Sequence, residues 1–301
     1  MGLQIGLGSR IRKSPFFEAL VRHGLTHVTV YNHMYMPGSF GDPDEEYRAL
    51  VERVSLWDVA AERQVEVVGP DAFALCQYVS ARDLRGMKTG RVRYAPMCDH
   101  DGILINDPMV LKLAEDRFWI SIADSDLLLW CRAVATERDL DCRVFEPDVS
   151  PLGVQGPRAD DTMADLLGEW VRDIPFFGFV ETSHDSIPFV LCRSGWSGQS
   201  GFELFLQDGS RGLDLWDAVW AAGEKYGIHP GAPTLNERIE SDLFSYRADC
   251  GAGASPLEVG LNRYVSLDRD DDFIGKGALL AEQERGPARR LVKALLTGER
   301  F

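Results

Sequence analysis

Three stretches of this 301-residue sequence place polar side chains where a strand or a helix ends. The first is DHDGILINDPMVLKL, residues 99–113. A turn at Asp101-Gly102 leads into an apolar strand that Asn106-Asp107-Pro108 interrupts. Proline donates no ladder hydrogen bond, so the break marks a bulge or a sheet edge, and Asp107 could point into a cavity. Its plainer alternative is to cap the turn. The second stretch is CRSGWSGQSGFELFL, residues 192–206. Its glycines would let the backbone pass close to a ligand. Trp196 offers a flat, electron-rich face, and Glu203 lies between Phe202 and Leu204 in an apolar strand. A buried carboxylate needs donors, which an aminopyrimidine-like edge could supply. The alternative is a glutamate on the outward, polar side of that strand. The third stretch is LNERIESDLFSYRADCG, residues 235–251, with Arg238 and Glu240 on one helix and Tyr246 at its end. A solvated ion pair is its plain reading.

Other chemistries find little support. The six cysteines form no CxxC and none stands at a zinc spacing from a histidine, so nothing supports a metal site. They read as small buried hydrophobes in a reducing, cytoplasmic compartment. Gly6-Leu7-Gly8 lacks the third glycine of a dinucleotide fingerprint, and Gly275-Lys276-Gly277 lacks the rest of a phosphate loop. With 47 acidic against 32 basic residues the net charge is −15, which repels nucleic acid and anionic membranes. Apolar runs such as Ile174–Val180 fall far short of the roughly 20 residues needed to span a bilayer, and the N-terminus shows no signal-peptide pattern. A composition of 45% hydrophobic and 26% charged residues excludes disorder along the whole chain.

The elements that must hold those residues are legible from periodicity. Tyr47, Leu50, Val51 and Val54 make residues 44–55 an amphipathic helix. Residues 63–69 and 117–124 alternate as strands. Pro70 opens a helix through Phe73, Cys76 and Val79, and Asp124 or Ser125 caps another that buries Leu127, Leu128, Cys131 and Val134. A similar order recurs: a strand at 152–157, a helix using Met163, Leu166 and Leu167, strands at 187–193 and 202–207, and a helix over 213–227. Thr234 and Glu237 form a capping box for the next helix. The sequence G-P-x-A follows a strand twice, at Gly69-Pro70-Asp71-Ala72 and Gly156-Pro157-Arg158-Ala159. This predicts an α+β protein of two related α/β subdomains rather than a doubly wound sheet.

The blocks GPDAFALCQYVSARDL, RVRYAP, DGILINDPMV, VQGPRA, RSGWSGQSGFEL, ERIESDLFSY and PLEVGL resemble, in order, the signature blocks of the folate-dependent aminomethyltransferase family, whose parent member is the T-protein of the glycine cleavage system. The resemblance spans about residues 45 to 290. YNHMYMPGSF, LWDVAAERQVEV, EPDVSPLGVQGP and FIGKGALL add a narrower likeness, to tetrahydrofolate-dependent S-demethylases of this family that act on sulfonium donors such as dimethylsulfoniopropionate. The resemblance implies a ring-like fold: an N-terminal extension (1–45), a first folate-binding subdomain (46–150), a second (151–288), and at 289–301 the start of a C-terminal β-barrel that is missing or truncated. It implies tetrahydrofolate in the central opening, with Glu203 on the pterin edge and Asp107 catalytic near the reacting end. Asn106, Tyr94, Arg238 and Tyr246 would also bind the cofactor, and Trp196 and Tyr31 would face the substrate. A typical T-protein has two acidic residues where this chain has Asn106-Asp107.

The implied reaction moves a methyl group from a sulfonium to N5 of tetrahydrofolate. A neutral thioether leaves without needing a proton, so the main task is alignment. An aromatic face such as that of Trp196 attracts an onium by roughly 0.5–2 kcal/mol. The alternatives are glycine-cleavage aminomethyl transfer, another folate-dependent N- or O-demethylation, and a non-catalytic folate-binding module. The expected partner is a small onium or amine, with no nucleic acid and no membrane; a homodimer is left open.

Overall fold

The computed structural model describes residues 10–294, which form a mixed α/β fold on two main sheets. Gly6-Leu7-Gly8 and residues 295–301 of the expected barrel segment lie outside the described residues. The described part of the N-terminal segment is α1 (Phe17–Arg22) and a hairpin of β1 (His27–Tyr31) and β2 (Met34–Ser39). The next helix, α2 (Pro43–Glu52), ends earlier than periodicity predicts, because Val54 already belongs to β3 (Val54–Asp58), a strand buried along its whole length. Thereafter come β4 (Gln64–Val68), α3 (Ala72–Val79), β5 (Arg91–Tyr94), β6 (Met97–Cys98), β7 (Leu104–Asn106), β8 (Met109–Ala114), β9 (Arg117–Ser121), α4 (Leu127–Glu137) and β10 (Arg143–Phe145). The rest comprises β11 (Ser150–Gln155), α5 (Ala159–Leu167), β12 (Phe179–His184), β13 (Ile187–Cys192), β14 (Gly201–Leu206), α6 (Gly212–Gly223), β15 (Ile228–Gly231), α7 (Leu235–Glu240) and α8 (Lys276–Arg285).

One sheet has five antiparallel strands in the order β10-β4-β9-β8-β5. The other has six, β12-β13-β14-β11-β3-β15, with β15 parallel to β3 and the remaining pairs antiparallel. The two sheets pack against each other: Val92, Leu111 and Trp119 from the first meet Val190, Cys192 and Phe205 from the second. On its far side the five-stranded sheet buries Val65, Val67 and Phe118 against Leu75 and Cys76 of α3 and Cys131 of α4. The six-stranded sheet buries Leu56, Val154, Phe189, Phe202 and Leu204 against Met163 of α5 and Trp216 of α6. The layers therefore run helix, sheet, sheet, helix, and the central strands are buried on both faces because successive side chains point into two different cores.

The repeated G-P-x-A is the same corner built twice. Gly69 and Gly156 have φ of 137° and 123°, and the N–H of the alanine three residues on donates back to each glycine carbonyl at 3.0 Å. A Cβ at either glycine would lie 2.7 Å from a backbone oxygen, of Asp141 or of Arg53. Only glycine turns these corners without moving the neighbouring chain. The expected division at 150/151 does not follow the sheets, because β3, from the first half, sits between β11 and β15 of the second.

Candidate active site

Asp107 occupies the break between β7 and β8, where Pro108 stops the strand. Tyr94, at the end of β5, donates its hydroxyl to Asp107 Oδ2 at 2.9 Å. Burial pushes the Asp107 carboxyl up to about 7; the Tyr94 hydrogen bond opposes this and nearby Asp249 adds to it. Burial, with the Asp107 charge beside it, also raises the Tyr94 phenol. Asp107 is thus tied through its carboxylate to Tyr94 across the strand break. It can change protonation near neutral pH, as proton-handling groups in sites do.

Asn106, expected on the cofactor, is fully buried and has both ends of its amide engaged by the protein. Its Nδ2 donates to the Ala123 carbonyl at 3.0 Å and to Ser125 Oγ at 2.7 Å, and its Oδ1 accepts the Ala123 N–H at 3.0 Å. It ties the Asp107 break to the turn before α4. A second asparagine, which the sequence reading missed, grips the same turn from the other side. Asn32 forms the tip of the β1–β2 hairpin with φ of 49°. Its Nδ2 donates to the carbonyls of Ala61 (3.0 Å), Ile122 (3.3 Å) and Ala123 (3.1 Å), and its Oδ1 accepts the Ser125 N–H at 3.0 Å. Asp124 and Ser125, the two residues expected as alternatives to cap α4, both serve this latch instead: Asp124 accepts the Asn32 N–H at 2.8 Å, and the N-cap position is Asp126. This latch fixes the neighbouring Tyr31, whose phenol is raised by burial and by the charges of Glu62 and Asp107.

Glu203 lies on central strand β14 and is only 5% exposed, so the outward reading fails. It pairs with Gly153 on one side and Cys192 on the other. Ser194 Oγ donates to its Oε2. Burial raises its carboxyl despite that bond. Glu62, in the loop between β3 and β4, was not singled out from sequence. It is driven well above the ordinary range by burial and then by the charges of Glu203 and Asp107, and no cation among the described residues offsets them. Three carboxylates from separate parts of the chain thus share one field, with Tyr31 beside them.

The glycines of the 194–201 loop lie against the protein itself. A Cβ at Gly195 or Gly201 would come within 2.0 or 2.4 Å of the Gln155 amide, and one at Gly198 within 2.1 Å of Ser241 Oγ. These glycines let the loop wrap side chains of the protein itself, with Ser197 Oγ donating to Gln155 Oε1 at 2.8 Å. Trp196 is held by its indole N–H on the Phe244 carbonyl at 3.3 Å, and the Arg238 guanidinium lies 5.8 Å from its ring centre. A cation of the protein already attends that ring. Arg238, 3% exposed, binds both oxygens of Asp249 at 2.8 and 2.7 Å, and its Nε is buried without a partner. The plain reading of a solvated Arg238–Glu240 pair is wrong, since Glu240 accepts the Tyr47 hydroxyl at 2.5 Å. Tyr246 packs with Leu104, Tyr94, Phe244 and Tyr264, and its phenol is raised chiefly by burial and also by Asp107.

The fold thus gathers Asp107, Tyr94, Tyr31, Glu203 and Tyr246 around one acidic centre, with Arg238 and Trp196 as an adjoining pair and Asn106 behind. Among the sequence signals, the VAAER loop gave no hint of Glu62, because an isolated glutamate between two strands is ordinarily a solvated loop residue. Asn32 carried a weak one: Asn-His between two apolar alternating runs is a hairpin tip.

The sequence matches the GCVT N-terminal domain family over residues 16–269. It is 42% identical to the dimethylsulfoniopropionate demethylase of Ruegeria pomeroyi over 290 residues, 96% of this chain and 79% of that protein. With the aminomethyltransferase of Symbiobacterium thermophilum it shares 30% identity over 297 residues, 95% of this chain and 79% of the other. In structure it resembles glycine cleavage system aminomethyltransferase T from Bartonella henselae, with a TM-score of 0.81 at 22% identity over 93% of this chain and 76% of that one. That likeness bears out the mixed α/β fold expected from the signature blocks.

Proposed function

We propose that this chain, which belongs to the GCVT N-terminal domain family, is a demethylase that passes a methyl group from a sulfonium donor such as dimethylsulfoniopropionate to tetrahydrofolate. The observation that carries the reading is the meeting of Glu62, Asp107 and Glu203 in one field with no offsetting cation among the described residues. Like charges brought together in a low-dielectric site must take up protons or a counter-cation. A sulfonium is a cation at every pH and suits such a site. The 42% identity to a dimethylsulfoniopropionate demethylase, against 30% to an aminomethyltransferase, supports the same choice.

The residues present fit a folate. Glu203 is a buried acceptor with one oxygen held by Ser194, and its other oxygen suits the donor edge of a pterin. The buried Arg238 Nε is a donor still lacking an acceptor. Bound tetrahydrofolate would supply N5 as the methyl acceptor. Asp107, titrating at about 7, takes up a proton without a large driving-force penalty, and Tyr94 fixes its Oδ2. No acid is needed at the departing sulfur, which is consistent with a neutral Asn106 beside Asp107. Tyr31 and Glu62 form the side of the site that meets the donor's positive charge.

The test is to incubate the full chain with tetrahydrofolate and either dimethylsulfoniopropionate or an aminomethyl donor, and to read the folate products by mass spectrometry. The 5-methyl product with the sulfonium is expected. One-carbon transfer only from the aminomethyl donor would establish aminomethyl transfer instead. Folate binding without any transfer would leave a non-catalytic binding module.

A further inference from the structure

A second enclosure lies apart from the acidic centre, at the β15 edge of the six-stranded sheet. There α2, β3, β15 and the start of α7 surround a cavity of about 100 Å³. Helix α2 contributes Glu46, Tyr47 and Leu50, β3 contributes Trp57, and α7 contributes Glu237. None of Glu62, Asp107, Glu203, Tyr31 and Tyr94 lines it. Glu46 and Glu237 are 6% and 3% exposed, yet no lysine, arginine or histidine stands in the wall. Glu237 commits both oxygens to Thr234, accepting its N–H and its hydroxyl. Glu46 Oε1 accepts the Ser39 hydroxyl at 3.0 Å and the Phe40 N–H at 2.8 Å, whereas its Oε2 receives no hydrogen bond from the described residues. A carboxylate oxygen without a donor is costly to bury.

The lining decides which cation would answer that charge. Among the described residues no group of His, Cys, Asp and Glu has the arrangement of a metal site. An ammonium brings three N–H donors, and the two buried carboxylates leave one free oxygen for them. A methylated onium spreads its charge over C–H groups, has no donors to satisfy and is drawn by aromatic faces. The Trp57 indole N–H already donates to Ser55 Oγ at 2.7 Å, and the Tyr47 hydroxyl to Glu240 at 2.5 Å. Both polar handles are engaged, so the rings are what these residues offer a ligand, and Glu240 adds negative charge beside Tyr47. At about 30 Å³ per water in the liquid, the space equals about three waters, the room of one compact trimethylated head. Pro43 and Asn236 on the lining are exposed, so a head group can enter with its polar end outward.

We propose that this cavity is a second binding site, for a small methylated onium such as the trimethylammonium head of choline, with Glu46 as its counter-charge and Tyr47 and Trp57 as its aromatic walls. The site shares no residue with the acidic centre and does not depend on the demethylase reading above.

Calorimetry on the full chain, comparing choline with 3,3-dimethylbutan-1-ol, tests it, because the alcohol has the same shape without the charge. The parent should bind choline about tenfold more tightly than the alcohol. Glu46→Gln keeps the acceptor for Ser39 and Phe40 and removes the charge, so it should weaken choline by about tenfold and leave the alcohol unchanged. Tyr47→Leu, at a half-buried position, removes one ring and should weaken choline several-fold. Glu62→Gln, in the acidic centre, should leave the Glu46-dependent binding as it is in the parent. Absence of choline binding by the parent, or equal binding of the alcohol, would overturn the site. Choline binding that survives Glu46→Gln and Tyr47→Leu but is lost in Glu62→Gln would place the onium in the acidic centre alone; that too would overturn the cavity site, with the demethylase reading intact. Absence of methyl transfer from the sulfonium, with choline binding still dependent on Glu46, would instead overturn the demethylase reading and leave this site standing.

Discussion

Replacing Asp107 by Asn tests the site where structure and chemistry make separate demands. Burial moves this carboxyl from 3.8 to about 7. The folded protein therefore holds the proton more tightly than the unfolded chain. The sign follows: the contribution of Asp107 to stability is complete below about pH 4 and is lost as pH climbs through about 7. At pH 8 the full loss would reach about 4 kcal/mol, and contact with water reduces it to about 1–3 kcal/mol. Asp107→Asn removes the ionisation and keeps an acceptor for the Tyr94 hydroxyl. Denaturant melts of parent and variant should thus coincide near pH 4 and diverge towards pH 8, with the variant the more stable. Activity should move the other way. As a proton acceptor Asp107 must be ionised, so the parent kcat should rise with pH through about 7. The variant should lose that rise and fall by about 10²-fold, the low end for a positioned base, because the leaving thioether needs no proton. Parallel melts at all pH values would refute the buried-carboxylate reasoning. An unchanged kcat would remove Asp107 from the chemistry.

Glu203→Gln keeps the acceptor for Ser194 and loses the charge; folate binding by calorimetry should weaken by about 1.5–3 kcal/mol while the melting profile at pH 5 stays close to that of the parent. Glu62→Gln breaks no hydrogen bond to the described residues, so it should stabilise the protein at alkaline pH and raise KM for the sulfonium several-fold with folate affinity intact; equal losses for both ligands would place Glu62 on the folate side instead. Asn32→Ala removes a side chain with four hydrogen bonds and leaves at φ of 49° a residue that tolerates the left-handed region less well than asparagine. It should cost about 2–4 kcal/mol by denaturant titration and lower kcat/KM through Tyr31, and a cost below about 0.5 kcal/mol would show that the latch is not needed.

Most elements were legible from their period: in 117–124 Phe118 and Ile120 enter one core and Trp119 the other, and the 3.6-residue period in 127–134 follows from the single face that α4 buries. The G-P-x-A repeat was visible as a pattern, and its reason, close backbone approach at Gly69 and Gly156, required coordinates. Asp107 was legible because Pro108 breaks a strand beside it. Glu203 was ambiguous by alternation, since both faces of β14 are buried and a carboxylate has no natural side. Asn106 was read as a ligand contact, yet a polar residue in a strand break also serves to bind the backbone of the next turn. Glu62 and Asn32 were missed for one reason: each acts through partners distant in the chain, which no local period records.

Strand β3 carries a last consequence, for how the chain reaches this shape. It is an apolar strand near the start of the chain, and its two neighbours, β11 and β15, begin about 100 and 170 residues later. Until β11 has been synthesised, VSLWD has two unsatisfied edges, and until β15 follows it keeps one. Pairings so far apart in sequence form slowly, and the parallel one with β15 closes last. A nascent chain cut anywhere before residue 228 would therefore expose a sticky ribbon rather than hold a finished half. Fragments ending near residue 150 should aggregate, and co-expressed halves should recover soluble protein only when the piece carrying β3 meets the piece carrying β11 and β15.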